Sequence, residues 1–140
     1  MSLERFCRKT VAVIQPTQSV AEAAEVMRDR HVGALVVVQE GLRPVGMLTD
    51  RDIVTRAVAE RKDSRALTVG EIMSPEPATA HVDDTLDRTL FTLRERGVRR
   101  LPIVDEQGRV VGLVSLDDVL VLLSGELGQT AAAVRENQGP

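Results

Sequence analysis

The stretch Gly46-Met47-Leu48-Thr49-Asp50-Arg51-Asp52-Ile53 returns 66 residues later as Gly112-Leu113-Val114-Ser115-Leu116-Asp117-Asp118-Val119. In both places a short apolar run ends in a hydroxyl residue with Asp three positions on, the pattern of a strand that turns into a capped helix. Carried outward at the same offset, residues 11–60 align on 77–126 without a gap. That alignment holds 12 identities in 50 positions, Leu35/Leu101, Gly46/Gly112 and Asp52/Asp118 among them, where ordinary residue usage would supply roughly 3. Ser19/Thr85, Val37/Ile103, Thr49/Ser115 and Ile53/Val119 are conservative pairs in the same register. The chain is therefore two copies of one unit.

Each copy reads as strand, helix, strand, strand, helix. Ser19 with Glu22 resembles a capping box, and Val20, Ala23, Ala24 and Met27 follow at helical spacing, so a helix is expected to end near Arg30. Its counterpart starts after Thr85, carries Leu86, Leu90 and Leu93, and stops at Gly97. Ala34 to Val38 and Val45 to Leu48 are β-branched runs on either side of a turn. Leu101 to Val104 and Val110 to Val114 flank Asp105-Glu106-Gln107-Gly108 in the same way. The last helix of each unit is expected to bury Ile53, Val54, Ala57 and Val58, or Val119, Leu120 and Leu123. The fold class is thus α+β, with units at 8–60 and 77–125, a connection at 61–76, and a helix extension and fraying tail at 126–140.

The 140 residues are 43% hydrophobic and 28% charged, the balance of an ordinary globular protein. Phe6 and Phe91 are the only aromatics and the net charge is −3. Neither favours nucleic acid, which asks for a basic surface and stacking rings. The longest apolar runs, such as Val119 to Leu123, are far below the about 20 residues that span a bilayer. No membrane association is expected. The start, Met1 to Thr10, is polar and charged rather than signal-like, and Cys7 is the single cysteine, so a reducing cytoplasm is the expected setting.

At the strand-to-helix turn, three features coincide. Free backbone N–H groups and the positive helix end attract phosphate. The hydroxyl of Thr49 or Ser115 can donate to a phosphate or ribose oxygen, and the carboxylate of Asp52 or Asp118 offers two acceptors to the two hydroxyls of a ribose. Gly46 and Gly112 would permit close approach. The same residues also read as a plain helix cap, although Asp is short for the reciprocal bond that Glu or Gln makes there.

Two strand pairs each followed by a helix, with the two quoted octapeptides and Val98-Arg99-Arg100-Leu101-Pro102-Ile103-Val104-Asp105, closely resemble the pattern of the CBS (cystathionine β-synthase) domain over about residues 8–125. The resemblance implies two units packed through their sheets about a pseudo-twofold axis, and a pair that dimerises. It also implies an adenosine-type ligand between the units: AMP, ADP, ATP or an S-adenosyl compound such as S-adenosylmethionine. The family's ribose and phosphate positions map onto Thr49, Asp52, Ser115 and Asp118. A phosphate contact maps onto Arg99 and Arg100, with strand alternation sending one in and one out. The adenine pocket maps onto Val13, Ile14, Thr79 and Ala80, which are also ordinary strand positions. Unit one carries Gly33 and Ala34 where unit two has the arginines, so two unequal sites are expected. Arg51 reads as a surface residue that neutralises Asp50 or Asp52.

No Gly-x-Ser-x-Gly elbow, Walker loop or nucleophile beside an evident base is present, so no enzyme is expected. His31, His81 and Cys7 are not at metal-ligand spacing, and no cofactor beyond a regulatory adenine nucleotide or S-adenosylmethionine is expected. The function expected is a regulatory module that signals its ligand to an unidentified protein partner. The alternative is a ligand-free structural or dimerisation module.

Overall fold

The computed structural model describes Leu3 and residues 10–137; Phe6, Cys7 and residues 138–140 lie outside the described residues. Unit one runs β1 (Val13–Ile14), α1 (Val20–Arg30), β2 (Ala34–Gln39), β3 (Arg43–Thr49) and α2 (Asp50–Ile53), which continues as a π-helical turn over Val54–Val58. Unit two runs β5 (Ala80–His81), α4 (Leu86–Arg96), β6 (Arg100–Val104), β7 (Val110–Ser115) and α5 (Leu116–Asn137). Between them lie α3 (Val69–Ile72) and β4 (Ser74–Pro75).

The two sheets share one topology. β1 is parallel to β2 and β2 antiparallel to β3; β5, β6 and β7 repeat this. Even the irregularity recurs, with register shifts at Val37/Val38 and at Ile103/Val104. The difference is a fourth strand in sheet one. β4 pairs with β3 through Gly46↔Pro75 and Met47↔Ser74. The segment 61–76, expected as a connection, therefore carries structure of its own. Thr68 opens α3 with a capping box closed by Glu71, and Val69 and Ile72 are buried in the first core. Pro75 is tolerated because β4 is an edge strand.

Helix ends follow local chemistry. Ser19 Oγ accepts the Glu22 N–H at 3.1 Å and Thr85 Oγ1 accepts the Arg88 N–H at 3.2 Å. The Glu22 carboxylate does not close a box on Ser19; it accepts from Gln18 Nε2 at 2.9 Å. α1 ends at His31 and α4 at Gly97, at equivalent positions and both left-handed, with φ 54° and 62°.

β2 is buried over five consecutive residues, Ala34 to Val38, because it is covered on both faces. Its alternation still sorts the side chains: Leu35 and Val37 join the core under the helices of unit one, while Val36 and Val38 point the other way. There they meet Val110, with Val104 and Leu113 packed alongside, so the two units join through their sheets. Burying a Val in this seam stabilises the pairing by about 1.5–3 kcal/mol relative to leaving it exposed. Leu101, Ile103, Val114 and Val119 fill the second core with Leu3.

Three apolar residues expected inside are not. Val54, Val58 and Leu120 are 58%, 65% and 53% exposed. α2 and α5 each cover their own sheet with one face, through Ala57 and Val119. The stripe beside that face is left exposed by the described residues.

Candidate nucleotide clefts

Two clefts open along the seam between the units. The first, about 440 Å³, takes Met47, Thr49 and Asp52 from unit one, residues 74–78 from the segment after α3, and Arg96, Val98, Arg99 and Arg100 from unit two. The second, about 230 Å³, takes Leu113, Ser115, Asp117 and Asp118 from unit two, and Thr10, Val11, Ala12 and residues 31–34 from unit one, with Arg100 again. Shifting the first lining by 66 residues reproduces nine members of the second, with each unit exchanging its role. That exchange is what a pseudo-twofold axis between the units produces. It brings Thr49 and Asp52 opposite residues 98–100, and Ser115 and Asp118 opposite residues 32–34.

The strand-to-helix turn does close a reciprocal cap, against the expectation that Asp is too short. The Asp52 N–H donates to Thr49 Oγ1 at 3.1 Å and the Thr49 N–H donates to Asp52 Oδ2 at 3.0 Å. In unit two the Asp118 N–H donates to Ser115 Oγ at 3.1 Å. Asp52 is largely sheltered, its side chain 15% exposed, and its second oxygen lies 3.7 Å from Arg56 Nη2. Arg56 also donates to the Ile72 carbonyl at 2.8 Å and reaches Ser74 Oγ at 3.4 Å. It ties the π-helical turn after α2 to Ile72 and to Ser74, which lines the first cleft. Sequence reasoning passed over Arg56, although its spacing four residues after Asp52 on one helix face was the available signal. The residue expected to neutralise these acids, Arg51, lines neither cleft; its N–H donates to Asp50 Oδ1 at 2.8 Å.

Arg99 and Arg100 both reach the first cleft. Arg99 is exposed and its Nη2 lies 3.1 Å from Asp117 Oδ1, whereas Arg100 is half-buried and borders both clefts. Gly33 and Ala34 stand at the matching places in the second cleft, as expected from the alignment. Of the described lining residues, Arg96, Arg99 and Arg100 outweigh Asp52 and Glu76 by one positive charge in the first cleft. In the second, the described charged lining is Arg100, Asp117 and Asp118.

The four residues mapped to an adenine pocket line neither cleft. Ile14 and Ala80 are buried in the helix-side cores, and Val13 and Thr79 are exposed. The strand residues point along the sheet normal, and it is the chain just before each strand, 10–12 and 76–78, that borders the seam. Gly46 does permit a close approach, but by the chain itself: a Cβ there would collide with Met73 Sδ and stand 3.0 Å from the Ser74 carbonyl.

Among the described residues no group of three or more His, Cys, Asp or Glu side chains could hold a metal, and no described helix is long and apolar enough to cross a membrane.

A family model for the CBS domain matches the chain twice, at residues 3–59 and 69–125. The chain is 40% identical over 111 residues to the CBS domain-containing protein YhcV of Bacillus subtilis, covering 79% of this chain and 77% of that one. It is 32% identical over 120 residues to an uncharacterized protein of Methanopyrus kandleri, covering 86% of this chain but only 61% of the relative's length. Among solved structures, the CBS domain pair of protein MJ0100 in complex with 5′-methylthioadenosine and S-adenosyl-L-methionine superposes with a TM-score of 0.79 at 28% identity, over 90% of this chain and 98% of that one.

Proposed function

Because this chain belongs to the CBS domain family, we propose that it is a non-catalytic regulatory module that holds an adenosine-type ligand in the clefts between its units. The observation that carries the reading is the pair of clefts, each placing a hydroxyl and a carboxylate from one unit against the facing strand of the other. Asp52 and Asp118 would accept from the ribose hydroxyls, and Thr49 and Ser115 would donate to ribose or phosphate oxygens. Arg99 and Arg100 would meet phosphate in the first cleft, whose volume falls in the range of about 300–1,000 Å³ usual for small-molecule sites. The backbone that reads the base moves from Val13, Ile14, Thr79 and Ala80 to the residues just ahead of them, 10–12 and 76–78. The ligand complex of the related MJ0100 pair supports an adenosine compound as the class.

Signalling would follow from a change in the packing of the units, read by a separate protein in the cytoplasm. It can be no larger than the ligand's differential affinity for the two arrangements. Val54, Val58, Leu120 and Val121 on the outer sides of α2 and α5 supply an apolar surface for a homodimer.

A thermal-shift screen against AMP, ADP, ATP and S-adenosylmethionine tests the reading. A ligand at about 100 times its Kd stabilises by roughly 2.7 kcal/mol. A flat response to all four at millimolar concentration defeats it. That result would leave the second reading, a ligand-free structural module, which the self-satisfied cap of Thr49 and Asp52 favours.

A further inference from the structure

Resting on that reading, we propose that Arg56 is a positioning residue for the first cleft, holding the Asp52 carboxylate and the cleft edge at Ser74 in the arrangement that grips a ribose diol. Its guanidinium spans two segments well separated in the chain. Nη1 donates to the Ile72 carbonyl at 2.8 Å and to Ser74 Oγ at 3.4 Å, while Nη2 lies 3.7 Å from Asp52 Oδ1. Asp52 and Ser74 both line the first cleft. Arg56 sits in the π-helical turn Val54–Val58, where the Ala59 N–H reaches back five residues to the Val54 carbonyl at 2.9 Å. Such turns are rare and frequently fall at functional positions.

Asp52 Oδ2 accepts the Thr49 N–H at 3.0 Å and Oδ1 faces Arg56, so the plane of the carboxylate is fixed from both sides. Each oxygen keeps a further lone pair, one for each hydroxyl of the diol. At 3.7 Å, and with Arg56 47% exposed, the ion pair adds little to stability. Its consequence is orientation. The terminal torsion of an aspartate is soft, and a carboxylate turned about it presents one acceptor to the diol instead of two. Holding it in place before the ligand arrives removes that ordering cost from binding. Unit two has Leu122 at the place of Arg56, packed against the second core, and α5 runs through it as regular helix. This clamp therefore belongs to the first cleft.

The test is calorimetric titration of AMP and 2′-deoxy-AMP, which differ by one ribose hydroxyl, into the full chain and its variants, read at the site that Asp52→Asn weakens. Wild type should prefer AMP. Arg56→Leu should weaken AMP by about threefold or more and leave 2′-deoxy-AMP nearly unchanged, with Arg56→Lys intermediate. In the Asp52→Asn background, Arg56→Leu should cost no further affinity. Equal losses for both nucleotides, or a loss that persists without the carboxylate, would show that Arg56 only holds the Ser74 segment, and no loss for either would also overturn the inference; nucleotide binding stands in each case. If wild type binds AMP and 2′-deoxy-AMP alike, the ribose role of Asp52 falls and the positioning role with it. If wild type binds neither, the nucleotide reading of the cleft itself falls, and this inference with it.

Discussion

Replacing Asp52 separates its two roles. Asp52→Ala deletes the acceptor for the part-buried Thr49 N–H, a 3.0 Å bond, and leaves that donor without its partner, at about 1–2 kcal/mol. It also removes a negative charge from the first turn of α2, worth about 0.3–1 kcal/mol. The contact to Arg56 at 3.7 Å adds little, since the arginine is nearly half exposed. The sum is about 2 kcal/mol. For a chain of this length that is a fall in Tm of roughly 5–8 °C. Asp52→Asn keeps a carbonyl oxygen able to accept the same N–H and should cost well under 1 kcal/mol. The two variants should nevertheless both weaken nucleotide binding, because an amide offers one acceptor where the ribose diol meets two. Urea denaturation gives the stabilities and calorimetric titration the affinities. If Asp52→Asn destabilises as much as Asp52→Ala, the cap bond is not what the carboxylate supplies. If Asp52→Asn binds ATP as wild type does, the ribose role is refuted.

His31→Gly should stabilise by up to about 1 kcal/mol, because a left-handed helix end suits glycine and unit two already uses Gly97 there; a loss of stability in urea would show that the imidazole is held by its surroundings. Gly46→Ala forces β3 against Met73 and the Ser74 carbonyl and should cost about 1–3 kcal/mol by the same assay, with unit one affected first. Asp105 accepts the Arg109 N–H and its guanidinium, which hold its carboxyl below the usual range. Its contribution to stability is therefore complete above the unfolded value of about 3.9 and is lost as pH falls through the lower folded value. The Tm gap between wild type and Asp105→Asn should narrow on acidification from pH 6 to pH 3, and a gap that stayed constant would contradict the assignment. If the proposed homodimer uses the outer side of α2, Val54→Glu with Val58→Glu should lower the light-scattering mass from dimer to monomer with little change in monomer fold, since both side chains are exposed in the single chain; an unchanged mass would refute that surface.

The 66-residue period was legible because it is written in side-chain chemistry. Identical backbone demands at Gly46/Gly112, at the Thr49 and Ser115 caps and along β2 and β6 select similar residues wherever the unit is repeated. Helix α4 was readable to its ends, since Thr85 and Gly97 act on their own neighbours within one turn. Val54 and Val58 misled because periodicity reports an apolar face without saying what covers it. Segment 61–76 was missed as structure because it has no counterpart in the repeat and its strand is two residues long.

The sequence by itself determined the two units, their strand and helix order, and the capped turns that carry Thr49, Asp52, Ser115 and Asp118. These depend on interactions between residues close along the chain. Only the tertiary structure decided which residues face one another across the seam: that Arg100 borders both clefts, that Arg99 leans on Asp117, and that residues 10–12 and 76–78 line the clefts. The reason is physical. A twofold packing of sheets brings together residues far apart in the chain, and no local pattern encodes which side of the seam a long side chain will reach.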